Sequence, residues 1–178
     1  VGALTVDADL RWLALTALIA HSRYEDAESA EAAISELAAA DRSASGTMSA
    51  VRARAAIPTA EAKRTAWDAA VSGELSNLGI RHTTEGLTWA DPGELLQQFN
   101  EEYFRIAPRI WKEFSPEMAQ RTLLELYPRW DVTEEHLGRA DALLAETSGG
   151  LHRLLAENRD RMVRTLRLRK VDAEAAGE

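Results

Sequence analysis

Cysteine is absent from the 178 residues. That excludes disulfides and thiolate metal sites and fits a cytoplasmic setting. No apolar run approaches the roughly 20 residues that a membrane-spanning helix needs, so no membrane partner is expected. A basic excess is missing too. The 21 Lys and Arg stand against 29 Asp and Glu, for a formal net charge of −8. A phosphate backbone selects the opposite sign, which argues against a nucleic-acid partner. The acidic balance mainly favours solubility. Catalytic signatures are also missing: no His-Glu-x-x-His, no Gly-x-Ser-x-Gly, no phosphate-binding glycine loop and no dinucleotide fingerprint. The four histidines are scattered. His82 and Glu85 share a helix face at i, i+3 spacing, but two such residues cannot complete a tetrahedral zinc shell. No catalytic residue, metal ligand or cofactor is therefore expected in this stretch.

Alanine, leucine, glutamate and arginine dominate, and β-branched residues are sparse, which favours helix almost throughout. Apolar stripes recur with short polar breaks. Asp7 or Asp9 caps a first helix with Leu10, Leu13, Ala14, Ala17 and Leu18 on one face. Ala30, Ala33, Ile34, Leu37 and Ala38 repeat the pattern. Asp41 to Gly46 is a turn, and Met48, Val51 and Ala55 mark a third helix. Pro58 stops it, because proline lacks an N–H and biases Ile57 away from helical angles. Thr59 caps the next helix, whose stripe is Ala62, Ala66 and Ala69, and Gly73 closes it. Leu75, Leu78 and His82 continue a weaker helix.

Asp91 before Pro92 opens a stripe of Leu95, Leu96, Phe99, Tyr103 and Ile106, which Pro108 kinks or ends. Ser115-Pro116 and Thr133 start two more helices, the second with Leu137, Ala140 and Leu144 inward. Gly149-Gly150 precedes the last helix. About nine helices with short loops predict an all-α fold: an irregular antiparallel stack, an α-solenoid of the HEAT or armadillo kind. No linker marks a boundary, so residues 1–178 read as a single domain. A valine rather than a methionine opens the chain, as in a piece of a longer protein.

The final helix is basic, from Arg153 to Lys170, with Glu157 and Asp160 placed four residues before Arg161 and Arg164 for ion pairing. Asn158 falls on its apolar stripe, where a hydrogen bond to a neighbouring loop carbonyl is one expectation. The Glu134-Glu135-His136 cluster suits the start of a helix, where the dipole favours carboxylates. Most of the five tryptophans read as packing anchors between helices. The Leu126 to Asp131 loop differs in kind. It gathers Tyr127, Arg129 and Trp130 at a helix end, where a substrate or a partner domain can be met.

The segment Pro58-Thr59-Ala60-Glu61-Ala62-Lys63-Arg64-Thr65-Ala66-Trp67-Asp68-Ala69-Ala70 resembles one that recurs in the C-terminal helical domain of aminopeptidase N. That family belongs to the zinc gluzincins, and the likeness is strongest to actinobacterial members. The domain is related to the C-terminal domain of the endoplasmic reticulum aminopeptidases. Asp9-Leu10-Arg11-Trp12 is similar to its early helix. Glu102-Tyr103-Phe104, Pro108-Arg109-Ile110-Trp111 and Ser115-Pro116-Glu117-Met118-Ala119 are similar to its central part. Leu155 to Asp160 is similar to its last helix, with Asn158 where the family often has glycine.

The resemblance implies a parent zinc metalloaminopeptidase whose zinc ligands and general base lie outside this chain. It implies the catalytic domain of the same parent chain and peptide substrates as partners. It implies a domain that covers the active site and limits peptide access, with Tyr127, Arg129 and Trp130 as chamber or domain contacts. The competing expectation is a free-standing helical scaffold that binds another protein on a concave face. A ligand-binding domain of a helical transcription regulator would need a DNA-binding helix-turn-helix that this sequence lacks.

Overall fold

The computed structural model describes residues 7–90 and 92–177. Among these the chain is helical, with no strand. The elements are α1 (Ala8–Ala20), α2 (Ala27–Ala40), α3 (Ala44–Ala56), α4 (Ala60–Val71), α5 (Asn77–Leu87), the single turn α6 (Gly93–Leu96), α7 (Asn100–Glu113), α8 (Pro116–Glu125), α9 (Glu134–Glu146) and α10 (Gly149–Ala176). A 3₁₀ turn, Gln97–Phe99, leads into α7. The all-α helical stack follows the sequence expectation. Its contacts cluster into two compact units, Val1–Leu96 and Gln97–Glu178.

Helix starts follow the capping chemistry. The Leu10 N–H donates to Asp7 Oδ1 at 2.8 Å, so Asp7 rather than Asp9 is the cap. Thr59, Ser115 and Thr133 accept in the same way from Ala62, Met118 and His136. Asp26 and Ser29 form a reciprocal capping box at α2. Ser43 accepts from the Gly46 N–H at 2.9 Å, so α3 begins earlier than the expected Asp41–Gly46 turn allows. Asp91, the expected cap before Pro92, lies outside the described residues. Pro108 sits inside α7, which continues through it to Glu113.

In the first unit α3 packs against α1, α2, α4 and α5. It does so with small residues: Ser49, Ala50, Ala53, Ala55 and Ala56 are buried, whereas Met48 and Val51 are only half-buried. Trp12 is fully buried, and its Nε1–H donates to Asp41 Oδ2 at 2.8 Å, joining α1 to the turn before α3. The inward face of α1 is Trp12, Leu15, Thr16 and Ile19. This corrects the expected stripe, because Leu10, Leu13 and Leu18 are 44%, 44% and 48% exposed. The α4 face is also shifted. Lys63, Ala66, Trp67 and Ala70 are buried, with Ala62 and Ala69 half-buried. In α5 the buried side chains are Ile80, Thr83, Thr84 and Leu87, while Leu78 is exposed.

The approach of α5 to α3 depends on Gly86. A Cβ there would lie 2.1 Å from the Arg52 carbonyl oxygen and 2.8 Å from Ala55 Cβ. Backbone cannot yield as a side chain end can, so the helices must separate. Gly86→Ala is expected to cost about 2 kcal/mol net, overpacking outweighing the gain of about 1 kcal/mol in helix propensity. Gly138 in α9 is the contrast, since a Cβ there meets nothing within 4 Å. Gly138→Ala is expected to stabilise by about 1 kcal/mol. Urea unfolding of both variants checks the pair.

In the second unit α7 packs against α8 and α9, and α10 against α9 and α8. Tyr103, Phe104, Ile106, Ala107 and Ile110 are the buried face of α7. In α9 Leu137 and Ala140 are buried as expected, but Leu143 takes the inward place expected for Leu144, which is half-buried. Gly149 opens α10 at φ +67°, a conformation that favours glycine. Asn158 is buried, but its Nδ2 donates to Leu154 O at 2.9 Å within α10 rather than to a neighbouring loop.

Candidate functional site

The loop from Leu126 to Asp131 joins α8 to α9. Its three singled-out residues occupy different depths. Tyr127 is buried at 1% exposure, Trp130 is half-buried and Arg129 is exposed. The Tyr127 ring makes edge contacts with Tyr103 at 5.4 Å, Phe104 at 6.3 Å and His136 at 5.1 Å between centroids. Such T-shaped arrangements suit the aromatic quadrupole. Trp130 Nε1–H donates to Asn100 Oδ1 at 2.7 Å, fixing the loop to the start of α7. Arg129 Nη2 donates to Leu124 O at 2.9 Å, on the last turn of α8. That carbonyl end is where a cation is favoured.

Beneath the loop lies a buried polar cluster that depends on tertiary contacts. His136 Nε2 and the Tyr127 hydroxyl are 2.8 Å apart. His136 Nδ1 stands 3.6 Å from Asp131 Oδ2, and Arg139 Nη1 is 3.2 Å from the same carboxylate oxygen. Tyr103 donates its hydroxyl to Leu123 O at 2.9 Å. Burial lowers the pKa of His136, against an opposing pull from Asp131. Burial raises those of Tyr103 and Tyr127. The imidazole and both phenols are therefore neutral near pH 7. The carboxylate, imidazole and hydroxyl lie in the order of a proton relay, but Nδ1 makes no hydrogen bond to Asp131 at 3.6 Å, His136 is 0% exposed and Tyr127 is nearly so. No substrate atom reaches them in this arrangement, so they hold the loop in place. The sequence places His136 in a first helical turn. Its burial depends on a hydroxyl nine positions earlier, a tertiary contact that periodicity does not encode.

Tyr127→Phe removes that hydroxyl while keeping the ring. It leaves His136 Nε2 without its hydrogen-bond partner in a buried site, and an expected cost of about 1–2 kcal/mol follows. A lowered thermal midpoint with unchanged helicity is the expected result.

The first unit offers two further features. His82 does meet Glu85, with Nδ1 3.9 Å from Oε2, but Glu85 already faces Arg81 at 2.8 Å and Arg52 at 3.7 Å. This is an ion-pair cluster, and burial lowers the His82 pKa. No group of three or more His, Asp or Glu able to hold a metal ion occurs among the described residues. An open groove of about 520 Å³ runs over α2, α3 and α4. Val51, Ile57 and Ala66 contribute to its apolar lining, with Glu28, Glu31 and Glu61 also at its wall. Arg54 neutralises Glu31 through a forked contact, with Nη2 2.7 Å from Oε1. No helix among the described residues is long and apolar enough to cross a membrane.

A sequence profile of the family described as the ERAP1-like C-terminal domain matches residues 2–164. The chain belongs to that family. Aminopeptidase N of Streptomyces lividans is similar to it, 38% identical over 176 residues, which make up 97% of this chain and 20% of that protein. This ERAP1-like C-terminal domain thus spans about a fifth of the length of the curated relative it matches. The match is to an aminopeptidase, and the structure gives the ERAP1-like domain an all-helical scaffold without a solvent-accessible acid–base pair in the 126–131 loop.

Proposed function

We propose that residues 1–178 act as the C-terminal helical region of a zinc aminopeptidase, covering its active site and limiting which peptides enter. The observation that carries this reading is the 38% identity to an aminopeptidase N across 97% of the chain. The zinc ligands and general base belong to the parent outside this chain. Zinc there would polarise the scissile carbonyl and activate water.

What these residues supply is shape and position. A stack of helices presents stiff loop ends, and closing them over a reaction site excludes water and fixes the peptide. Within the 126–131 loop, Arg129 and Trp130 are the proposed contacts to peptide or to the catalytic domain. Tyr127 supports them from below through His136. Arg129 is suited to a carboxylate, either a peptide C-terminus or an acidic side chain.

In the parent enzyme, Arg129→Ala is expected to raise KM for peptides about tenfold, the loss of one charge-assisted hydrogen bond. A single-residue amide substrate should change by less than about twofold, within the few tenths of a kcal/mol that such a ratio represents. Equal effects on both substrates would remove Arg129 from the proposed contact.

A further inference from the structure

The α1 helix is apolar on two opposite sides. One side, Trp12, Leu15, Thr16 and Ile19, is the buried face within the first unit. The other carries Leu10, Leu13, Ala14, Ala17 and Leu18 at i, i+3, i+4, i+7 and i+8, the spacing of a complete helix-packing stripe. Leu10, Leu13 and Leu18 are nevertheless 44–48% exposed, and Ala14 is exposed between them. The charged neighbours Asp9 and Arg11 fall at the seams between the two faces, leaving the outer stripe uncharged. A helix that is apolar on both sides is characteristic of an interior position in a larger protein.

We propose that this outer face is the docking surface for an apolar helix of the same polypeptide lying outside residues 1–178. The proposal rests on the reading that the chain is part of a longer aminopeptidase. The relative supplies the space for such a segment, since 97% of this chain aligns to only 20% of it. Helix is the fitting form, because in this unit α1 buries its inner face against α2 and α3. A second copy of the chain fits less well. One face of a 13-residue helix is about 20 Å long and offers on the order of 200 Å², against roughly 800 Å² per partner in a stable interface. A segment of the same chain does not lose translational freedom on docking, so a small seam suffices.

Cysteine labelling tests this, because the chain has no cysteine of its own. Leu13→Cys is made in the 178-residue chain and in the longer parent polypeptide. Maleimide modification is followed by mass spectrometry of the site, relative to Glu36→Cys, an exposed position on α2. Fast relative labelling in the 178-residue chain and at least tenfold slower relative labelling in the parent is the expected result. Equal relative rates in both would overturn the proposal. So would protection in the 178-residue chain that grows with its concentration, which would assign the face to a second copy. As a second readout, Leu13→Glu should leave the melting temperature of the 178-residue chain unchanged and lower that of the parent. Loss of aminopeptidase activity in the parent plays no part in either readout. The aminopeptidase reading can therefore fail while the seam stands, and the reverse.

Discussion

Lys63→Ala is expected to destabilise the first unit by about 3–5 kcal/mol, the range for truncating a large buried side chain together with its hydrogen bonds. Lys63 is 0% exposed on the inward face of α4. Its Nζ donates to Ala55 O at 2.7 Å and to Gly86 O at 3.3 Å. The first of these carbonyls has a reason to need it. Pro58 has no N–H, and the Thr59 N–H goes to Ile57 O, so the last turn of α3 cannot satisfy Ala55 O from the following backbone. The ammonium thus bridges the C-terminal ends of α3 and α5, where helix dipoles favour a cation. Burial works against the charge and brings the Lys63 pKa down to about 7.

The pH dependence has a definite sign. An unfolded lysine holds its proton up to about pH 10.4. Between pH 7 and that value the unfolded state therefore binds more protons than the folded state, and stability rises with pH. Lys63→Met keeps most of the buried stem and removes the titration. Urea unfolding between pH 7 and pH 10 should show wild-type stability rising relative to that of Lys63→Met. Parallel profiles for the two proteins would mean that Lys63 remains charged when folded, held by the two helix ends.

Lys63 also shows where sequence reading stops. Helix ends were legible because the signals are local. Asp7, Thr59, Ser115 and Thr133 each cap a helix with an oxygen three residues from the N–H they accept. Which face of a helix turns inward is not local, particularly in alanine-rich helices whose apolar residues leave several faces open. In α4 the alanine stripe was half right, and a lysine took the place next to Ala66, where its ammonium meets the Ala55 carbonyl that the following backbone leaves without a donor. In α1 the leucine stripe was regular but points away from the core, since Trp12 occupies the inner side.

The loop at 126–131 stood out by composition alone. Its graded depth, from exposed Arg129 to buried Tyr127, was invisible because it depends on His136 and Asn100. Pro108 does not end its helix, and it lies on the exposed side of α7 while Phe104, Ala107 and Ile110 face the core.

Removal of residues 1–178 from the parent should alter peptide-length selectivity far more than the chemistry at the zinc. On the proposed reading the catalytic groups lie outside this region, so bond cleavage in a small substrate should not depend on it. A single-residue amide also ends before it could reach a lid. On the proposed reading longer peptides pass beneath one, and its contacts set their position. Binding energy from such remote contacts is used to orient the reacting bond, so losing them affects turnover as well as KM. Excluding water from the closed site adds to the effect. The decisive measurement is kcat/KM for a single-residue amide and for peptides of increasing length, with and without residues 1–178, after zinc content and the remaining fold are verified. The account predicts an amide value within about twofold and a change of at least about tenfold in the ratio between long and short peptides, some 1.4 kcal/mol of differential transition-state stabilisation. Unchanged kcat/KM at every length would contradict it and favour a free-standing interaction scaffold.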